Sequence, residues 1–332
     1  MSKAMQDAKI REVAADIYQI HMPLPMRPSI VNIHLVRDQD EWALFDTGMH
    51  TEESVATLKS AIEQVGCPPS AIRKLICTHH HADHFGTSRT YKEMTGAEVY
   101  LNPLEQQRVE RMQSNLPSPE AMEFFRAHGI PLDEFPNGLP SPASHFGNRY
   151  MPVMPDHPIE DGETLHVGDR ALQAVWTPGH TPGHCCFYFP HDKVMIAGDH
   201  LLPKITPHVG VYYSGPQNPL QDFIRSHEKI QELDVELVLP AHGGNFKDHR
   251  YRAKQIIQHH VYRLKEIHDQ THGTPITAFD IALNIFDFGK EKPPIFHIMA
   301  AAFETLSHLH LLMYEGKVER LHEDGYIKFV SH

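Results

Sequence analysis

An α/β layered fold is what this sequence predicts, on three observations. Short apolar runs alternate with segments of helical spacing. Gly, Asp, Thr and Pro follow those runs as turn signals, as in Asp46-Thr47-Gly48. Histidines and aspartates gather where the runs end, the place where such sheets usually carry their sites. With 332 residues, 41% of them hydrophobic and 22% charged, the chain can bury a sizeable core in about two domains.

Residues 10 to 46 read as three strands, among them Ile33 to Val36 and Trp42 to Phe45, separated by a polar turn. Val55, Leu58, Ile62 and Val65 then fall at helical spacing, with Thr51 as N-cap and Gly66 as stop. The stretch IRKLICT is a buried strand, FGTSRTYKEMTG a helix and AEVYL the next strand. Residues 103 to 160 break the rhythm. Two amphipathic helices, PLEQQRVERMQSN and SPEAMEFFRAHG, precede residues 131 to 158, which hold seven prolines and little periodicity. A long segment of this kind often covers a pocket, so residues 103–160 are expected to form a helical insertion or lid. Phe124, Phe125, Met112 and Met122 would give it an apolar face. Strands resume with a hairpin turning at Gly168-Asp169, then CCFYF and KVMIAGD. PLQDFIRSHEKIQELD is a helix and VELVLP a buried strand. From about residue 251 three helices and a hairpin follow. This divides the chain into a domain over residues 1–250 and a small one over 251–332.

Composition excludes several classes. The formal net charge of −12 argues against a surface built to neutralise phosphates. The C-terminal region has nine Lys or Arg against ten acidic residues, so a structural or dimerising role suits it better than DNA reading. No stretch approaches the roughly 20 apolar residues of a membrane span, and no signal peptide is recognisable. Cys67, Cys77, Cys185 and Cys186 form no C-x-x-C pair, which fits the reducing cytoplasm, and Cys77 and Cys185 read as small core residues. The apolar helix IMAAAFETLSHLHLLM could serve a homodimer contact.

The stretch THHHADH, residues 78 to 84, carries the chemistry. A metal ligand must offer a lone pair, and zinc takes imidazole nitrogen and carboxylate oxygen. In an extended segment His79 and His81 point the same way, while His80 faces the other side and is left out. Asp83 and His84 follow where the loop turns into a helix and can address a second ion. Downstream, His180 in TPGHTPGH, Asp199 in IAGDH and His242 in LPAHGG each sit on a strand exit. A shared site at one sheet edge requires that placement. His200, His259, His260, His308 and His310 read as structural.

The motif H-x-H-x-D-H followed by His, Asp and His in these contexts resembles the metallo-β-lactamase fold superfamily over about residues 10 to 250. The resemblance implies a four-layer αββα sandwich, with a tail similar to the winged-helix extension of some members. It also implies a glyoxalase II-like site of two Zn2+, or Mn2+ or Fe2+ in their place. His79, His81 and His180 would hold the first ion and Asp83, His84 and His242 the second, with Asp199 bridging both. Asp46 and His184 would support ligands by hydrogen bonding. A hydroxide between the ions would attack the substrate, oriented by Asp83.

True β-lactamases of this fold lack the bridging aspartate, so antibiotic cleavage is not expected. The helices that bind glutathione in glyoxalase II are not recognisable in the tail. Leu202 stands where acyl-homoserine lactonases carry a tyrosine, although Tyr212 and Tyr213 lie near enough in sequence to enter the pocket. The insertion has four Arg and no Lys against eight acidic residues, with several Phe and Met. Such a wall, including Phe124 and Phe125, suits an apolar acyl group, so the expected substrate is a small-molecule ester, thioester or lactone. The rival readings are an endoribonuclease or phosphodiesterase, which would need a basic groove, a mono-iron persulfide dioxygenase, and a metal-binding scaffold without turnover.

Overall fold

The computed structural model describes residues 10–112, 119–132, 147–288 and 295–332. The chain opens with strands β1 (Ile10–Ala14), β2 (Ile17–Pro23), β3 (Ile30–Asp38) and β4 (Glu41–Phe45), then helix α1 (Glu52–Gln64) and strand β5 (Ile72–Ile76). Helices α2 (Ala82–Phe85) and α3 (Ser88–Thr95) lead to β6 (Glu98–Leu101), and α4 (Pro103–Met112), α5 (Pro119–Ala127) and the short β7 (His157–Pro158) follow. Next come β8 (Thr164–Val167), β9 (Arg170–Trp176), β10 (Cys185–Phe189), β11 (Val194–Gly198), α6 (Pro219–Gln231) and β12 (Leu237–Pro240). The last elements are α7 (His249–Gln270), β13 (Ile276–Thr277), α8 (Ala278–Ile285), α9 (Ile295–Tyr314), β14 (Glu319–Glu323) and β15 (Tyr326–Val330).

Two sheets stack face to face. One has seven strands in the order β1 to β7 and the other five in the order β12-β11-β10-β9-β8. Val36, Ala43, Phe45 and Ile76 of the first meet Leu172, Ala174, Phe187, Phe189 and Ile196 of the second in one buried cluster. On the outer face of the first sheet, Leu35, Leu44, Leu75 and Val99 pack on Leu58, Ala61 and Ile62 of α1 and Tyr91 of α3. On the outer face of the second, Val175, Cys186, Met195 and Val238 pack on Leu220, Phe223 and Ile230 of α6 and Ala253 and Ile256 of α7. Alternate residues of these strands feed opposite cores, and the αββα sandwich follows from that period of two.

The sequence reading differs from the structure at the N-terminus, where residues 10 to 46 form four strands rather than three. Asp16, at φ 55°, makes a tight turn that splits the first run into β1 and β2. Thr51 caps α1 as expected, accepting from the Ser54 amide. The two helices of the insertion and the hairpin at residues 168 and 169 are present. Half of the proline-rich stretch, residues 133–146, lies outside the described residues. The three C-terminal helices and the hairpin form, with β13 added to make the sheet β13-β15-β14. Leu306, Leu309 and Leu312 of the apolar helix α9 are buried within the chain itself. All four cysteines are free and buried, and no described helix is long and apolar enough to cross a membrane.

Candidate metal centre

Parallel pairing aligns the ends of the strands that carry the motifs. β4 runs parallel to β5, and β11 parallel to β12, so Asp46, the 78–84 loop, Asp199 and His242 leave the two sheets at one edge. Backbone hydrogen bonds sew these exits together. Asp46 N donates to Ile76 O at 3.0 Å, Cys185 N to Thr78 O at 3.0 Å, and Ala241 N to Gly198 O at 3.0 Å. Gly198 is required just before Asp199. Its φ is +50°, and a Cβ there would lie 2.6 Å from His184 Nε2 and 2.9 Å from Thr78 Cβ.

Two groups of donors result. His79 Nε2 and His180 Nε2 both face His81 Nδ1, at 3.0 and 3.1 Å. Beside them, His242 Nε2 lies 3.3 Å from Asp83 Oδ2, and His84 Nε2 lies 3.7 Å from the same oxygen. Asp199 stands between the groups. Its Oδ2 is 3.6 Å from His180 Nε2 and 3.5 Å from His84 Nε2, and its Oδ1 is 3.5 Å from His242 Nε2. Donors around a tetrahedral zinc, with Zn–N near 2.0–2.1 Å, sit about 3.3 Å apart. The 3.3–3.7 Å separations around Asp83 and Asp199 therefore match donors that share a cation better than mutual hydrogen bonds, while the 3.0 and 3.1 Å contacts of His81 fit either. His84 Nε2 and Asp199 Oδ1 are buried and have no hydrogen-bond partner, an arrangement costly to keep without a ligand.

The surroundings prepare the donors. Burial pushes His79 and His81 well below the ordinary histidine range, and His180 also downward, leaving their lone pairs free of protons at neutral pH. Burial also works against charge on His84 and on Asp83. Asp199, Asp83 and Asp46 nevertheless raise His84 well above the usual value, and His84 and His242 bring Asp83 down to about 2. His242 is raised, mainly by Asp199 once burial is overcome. This second group thus holds carboxylates whose negative charge is matched by whatever positive charge is nearby, a setting suited to a dication.

The expected supporting residues are in contact with the donors. Asp46 Oδ2 accepts from His84 Nδ1 at 2.9 Å, and its Oδ1 accepts from Thr78 N at 2.8 Å. His184 Nε2 accepts from Asp199 N at 3.2 Å while its Nδ1 pairs with Thr177 Oγ1 at 2.8 Å. His242 Nδ1 donates to Ile30 O at 3.0 Å. The Asp46 and Ile30 bonds fix the rings of His84 and His242 so that the other nitrogen of each faces the cluster, while His184 holds the backbone of Asp199.

His80 points away, as expected, and its partner is a residue that sequence reasoning missed. Glu105 of α4 is fully buried and accepts from His80 N at 2.9 Å, from His80 Nδ1, and from Gly183 N at 2.5 Å. One carboxylate therefore ties the insertion to both histidine-bearing loops. A glutamate on a largely polar helix carries no signal of such a role.

The aromatic residues offered for substrate contact form a separate layer. Phe124 packs on Phe125, His128 and Tyr213, and Phe125 and Tyr212 pack on Phe303 of α9. Phe124 and Tyr213 line a cavity of about 530 Å³ with Tyr326 and His322, and its lining includes no residue of the donor clusters. Of the other histidines, His260 bonds His308 across α7 and α9 at 3.1 Å, and His200 stacks on His227 with ring centroids 4.0 Å apart.

Comparison with known proteins agrees with this architecture. A family model described as Metallo-beta-lactamase superfamily matches residues 26–242. The chain is 24% identical over 327 residues to the "Probable metallo-hydrolase YqjP" of Bacillus subtilis (strain 168), covering 95% of this chain and 97% of that protein. It superimposes on the metallo-beta-lactamase family protein TTHA1429 of Thermus thermophilus with a TM-score of 0.83 and 28% identity, over 97% of this chain and 100% of that one. A stretch of 132 residues is 26% identical to a hydroxyacylglutathione hydrolase of Maricaulis maris (strain MCS10), covering 40% of this chain and 35% of that enzyme.

Proposed function

Because the chain belongs to the metallo-beta-lactamase superfamily, we propose that it is a two-ion hydrolase of a small ester, thioester or lactone. The observation that carries this reading is Asp199, whose carboxylate lies between the two donor groups, Oδ2 3.6 Å from His180 Nε2 and 3.5 Å from His84 Nε2, and Oδ1 3.5 Å from His242 Nε2. In this reading His79, His81 and His180 hold one ion, Asp83, His84 and His242 the other, and Asp199 both. The donor set suits zinc, and it also accepts manganese or iron. Two divalent ions bound there would lower the pKa of a water between them and polarise the substrate carbonyl.

The chain's own residues supply the rest. Asp83 is the most open carboxylate of the cluster, with 24% of its side chain exposed against 12% for Asp199. It can accept a hydrogen bond from the attacking water and orient it. Asp46 and His184 hold His84 and Asp199 in place, so little reorganisation is needed when substrate arrives. Of the four aromatic residues expected at the substrate, Tyr212 comes towards the cluster, its hydroxyl 2.9 Å from His208 Nε2, while Phe124 and Tyr213 line a cavity apart from the donors. A relative named as a hydroxyacylglutathione hydrolase supports an ester-type substrate. The order α7, β13, α8, α9, β14, β15 fits a winged-helix-like extension, and four free cysteines fit a reducing compartment.

The test is a turnover screen over p-nitrophenyl esters, acyl thioesters, lactones and phosphodiesters, run with metal quantification on the same sample. Ester, thioester or lactone turnover with about two ions per chain is expected. Phosphodiester cleavage alone, or one iron with oxygen consumption on a persulfide, would overturn the proposal.

A further inference from the structure

The loop after Asp199 is held by the C-terminal helices. Arg252 of α7 donates to Leu202 O at 2.7 Å and to Ile205 O at 2.9 Å. Ser307 of α9 donates to Val209 O at 2.7 Å, and Val211 N donates to Phe303 O at 3.1 Å. His310 of α9 donates to Gln217 O at 2.7 Å. This loop meets the donor cluster where His180 Nδ1 donates to the backbone carbonyl of His208 at 2.8 Å. That bond leaves His180 Nε2 as the donor facing His81 and Asp199.

The side chain of His208 is itself gripped from both ends. Its Nδ1 lies 3.4 Å from Glu304 Oε2 of α9, and its Nε2 lies 2.9 Å from the Tyr212 hydroxyl. The fit is close. A Cβ on Gly210 would lie 2.6 Å from His208 Nε2, 3.1 Å from Phe303 Cβ and 3.2 Å from Tyr212 Cε2. Glu304 is largely buried, with 17% of its side chain exposed, and His208 is half-buried at 29%, so the contact is partly shielded from solvent.

We propose that Glu304 is a positioning residue of the metal centre, acting through His208 to brace the ligand His180 and to fix Tyr212. The inference rests on the two-ion reading above. It makes α9 a working part of the site, since the carbonyl that orients His180 is held where α9 puts it. Partners of this kind orient a ligand without touching the ion, and their loss typically costs 10–100-fold in metal affinity.

The test compares the wild-type chain with Glu304→Ala, Glu304→Gln and Leu309→Ala. Leu309 is fully buried in the same helix and makes none of the contacts to the loop described above, so its truncation reports loosening of the helix alone. The readouts are metal content, the rate of metal release to a chelator, and KM and kcat on an ester found by screening. Glu304→Ala is expected to speed release of one ion about tenfold or more and to change KM. Glu304→Gln, which keeps a hydrogen-bonding oxygen, should recover part of the loss, and Leu309→Ala should release metal as the wild type does. Unchanged release in Glu304→Ala, or equal acceleration in Leu309→Ala, would overturn the proposal. A wild-type chain that holds a single ion would instead contradict the two-ion reading, and the release of that ion would still decide the role of Glu304.

Discussion

Glu105 offers the sharpest test of how the histidine loops are held. Truncation to alanine strands the buried amides of His80 and Gly183 and the ring nitrogen of His80. Each buried orphan costs about 1–3 kcal/mol, and the three share one carboxylate, so Glu105→Ala should cost about 3 kcal/mol or more. Urea unfolding of the metal-stripped chain at pH 7, followed by circular dichroism, measures it. The pH dependence gives a second handle. Burial opposes ionisation of Glu105, but His80 overcomes it and brings the pKa from 4.5 to about 2. A carboxylate lowered in the folded state contributes stability that is complete above its unfolded pKa and fades as pH falls towards the folded one. The gap between 4.5 and about 2 is worth about 3 kcal/mol. The stability difference between wild type and Glu105→Gln should therefore shrink steadily as pH falls from about 5 to about 2. A loss below about 0.5 kcal/mol in Glu105→Ala, or a difference that does not vary with pH across that window, would refute the reasoning.

Two further substitutions probe the frame of the cluster. Asp46→Asn keeps the shape but removes the charge that faces His84, and metal affinity measured by competition with a chelating dye should fall about 10–100-fold. Gly198→Ala places a methyl group 2.6 Å from His184 Nε2 at a left-handed backbone position, and both the melting temperature and metal content should drop. Wild-type melting and metal content in Gly198→Ala would mean that the 198–199 turn is not as tightly set as described.

The layout of the fold was legible where one period dominates. The helical spacing of Val55, Leu58 and Ile62, and the apolar runs at Leu75 and Leu239, are burial patterns that local sequence must carry. The donor residues were legible for a related reason. Each candidate ligand is a His or Asp at or just after a strand exit, with Asp83 and His84 in the short helix α2 that follows β5, and residue type and placement are both visible without coordinates. The split of β1 from β2 was not, because it depends on Asp16 adopting a positive φ, which Asp tolerates without demanding. Glu105 and Glu304 were illegible for a deeper reason. Their burial comes from packing against segments about 80 and 100 residues away in sequence, Gly183 and His208 respectively, and nothing local marks a glutamate for the interior. The aromatic residues Phe124 and Tyr213 show the converse. They were expected to meet the substrate at the metal centre, but the cavity they line lies apart from the donor residues.

The central claim is that Asp199 joins two cation sites. It is tested most directly by counting metal ions per chain, by plasma mass spectrometry on dialysed protein, in the wild type and in Asp199→Ala. The account predicts about two ions in the wild type and a clear loss on substitution, accompanied by loss of hydrolysis. Asp199→Ala protein that keeps both ions, or wild-type protein that turns over fully with one, would contradict it.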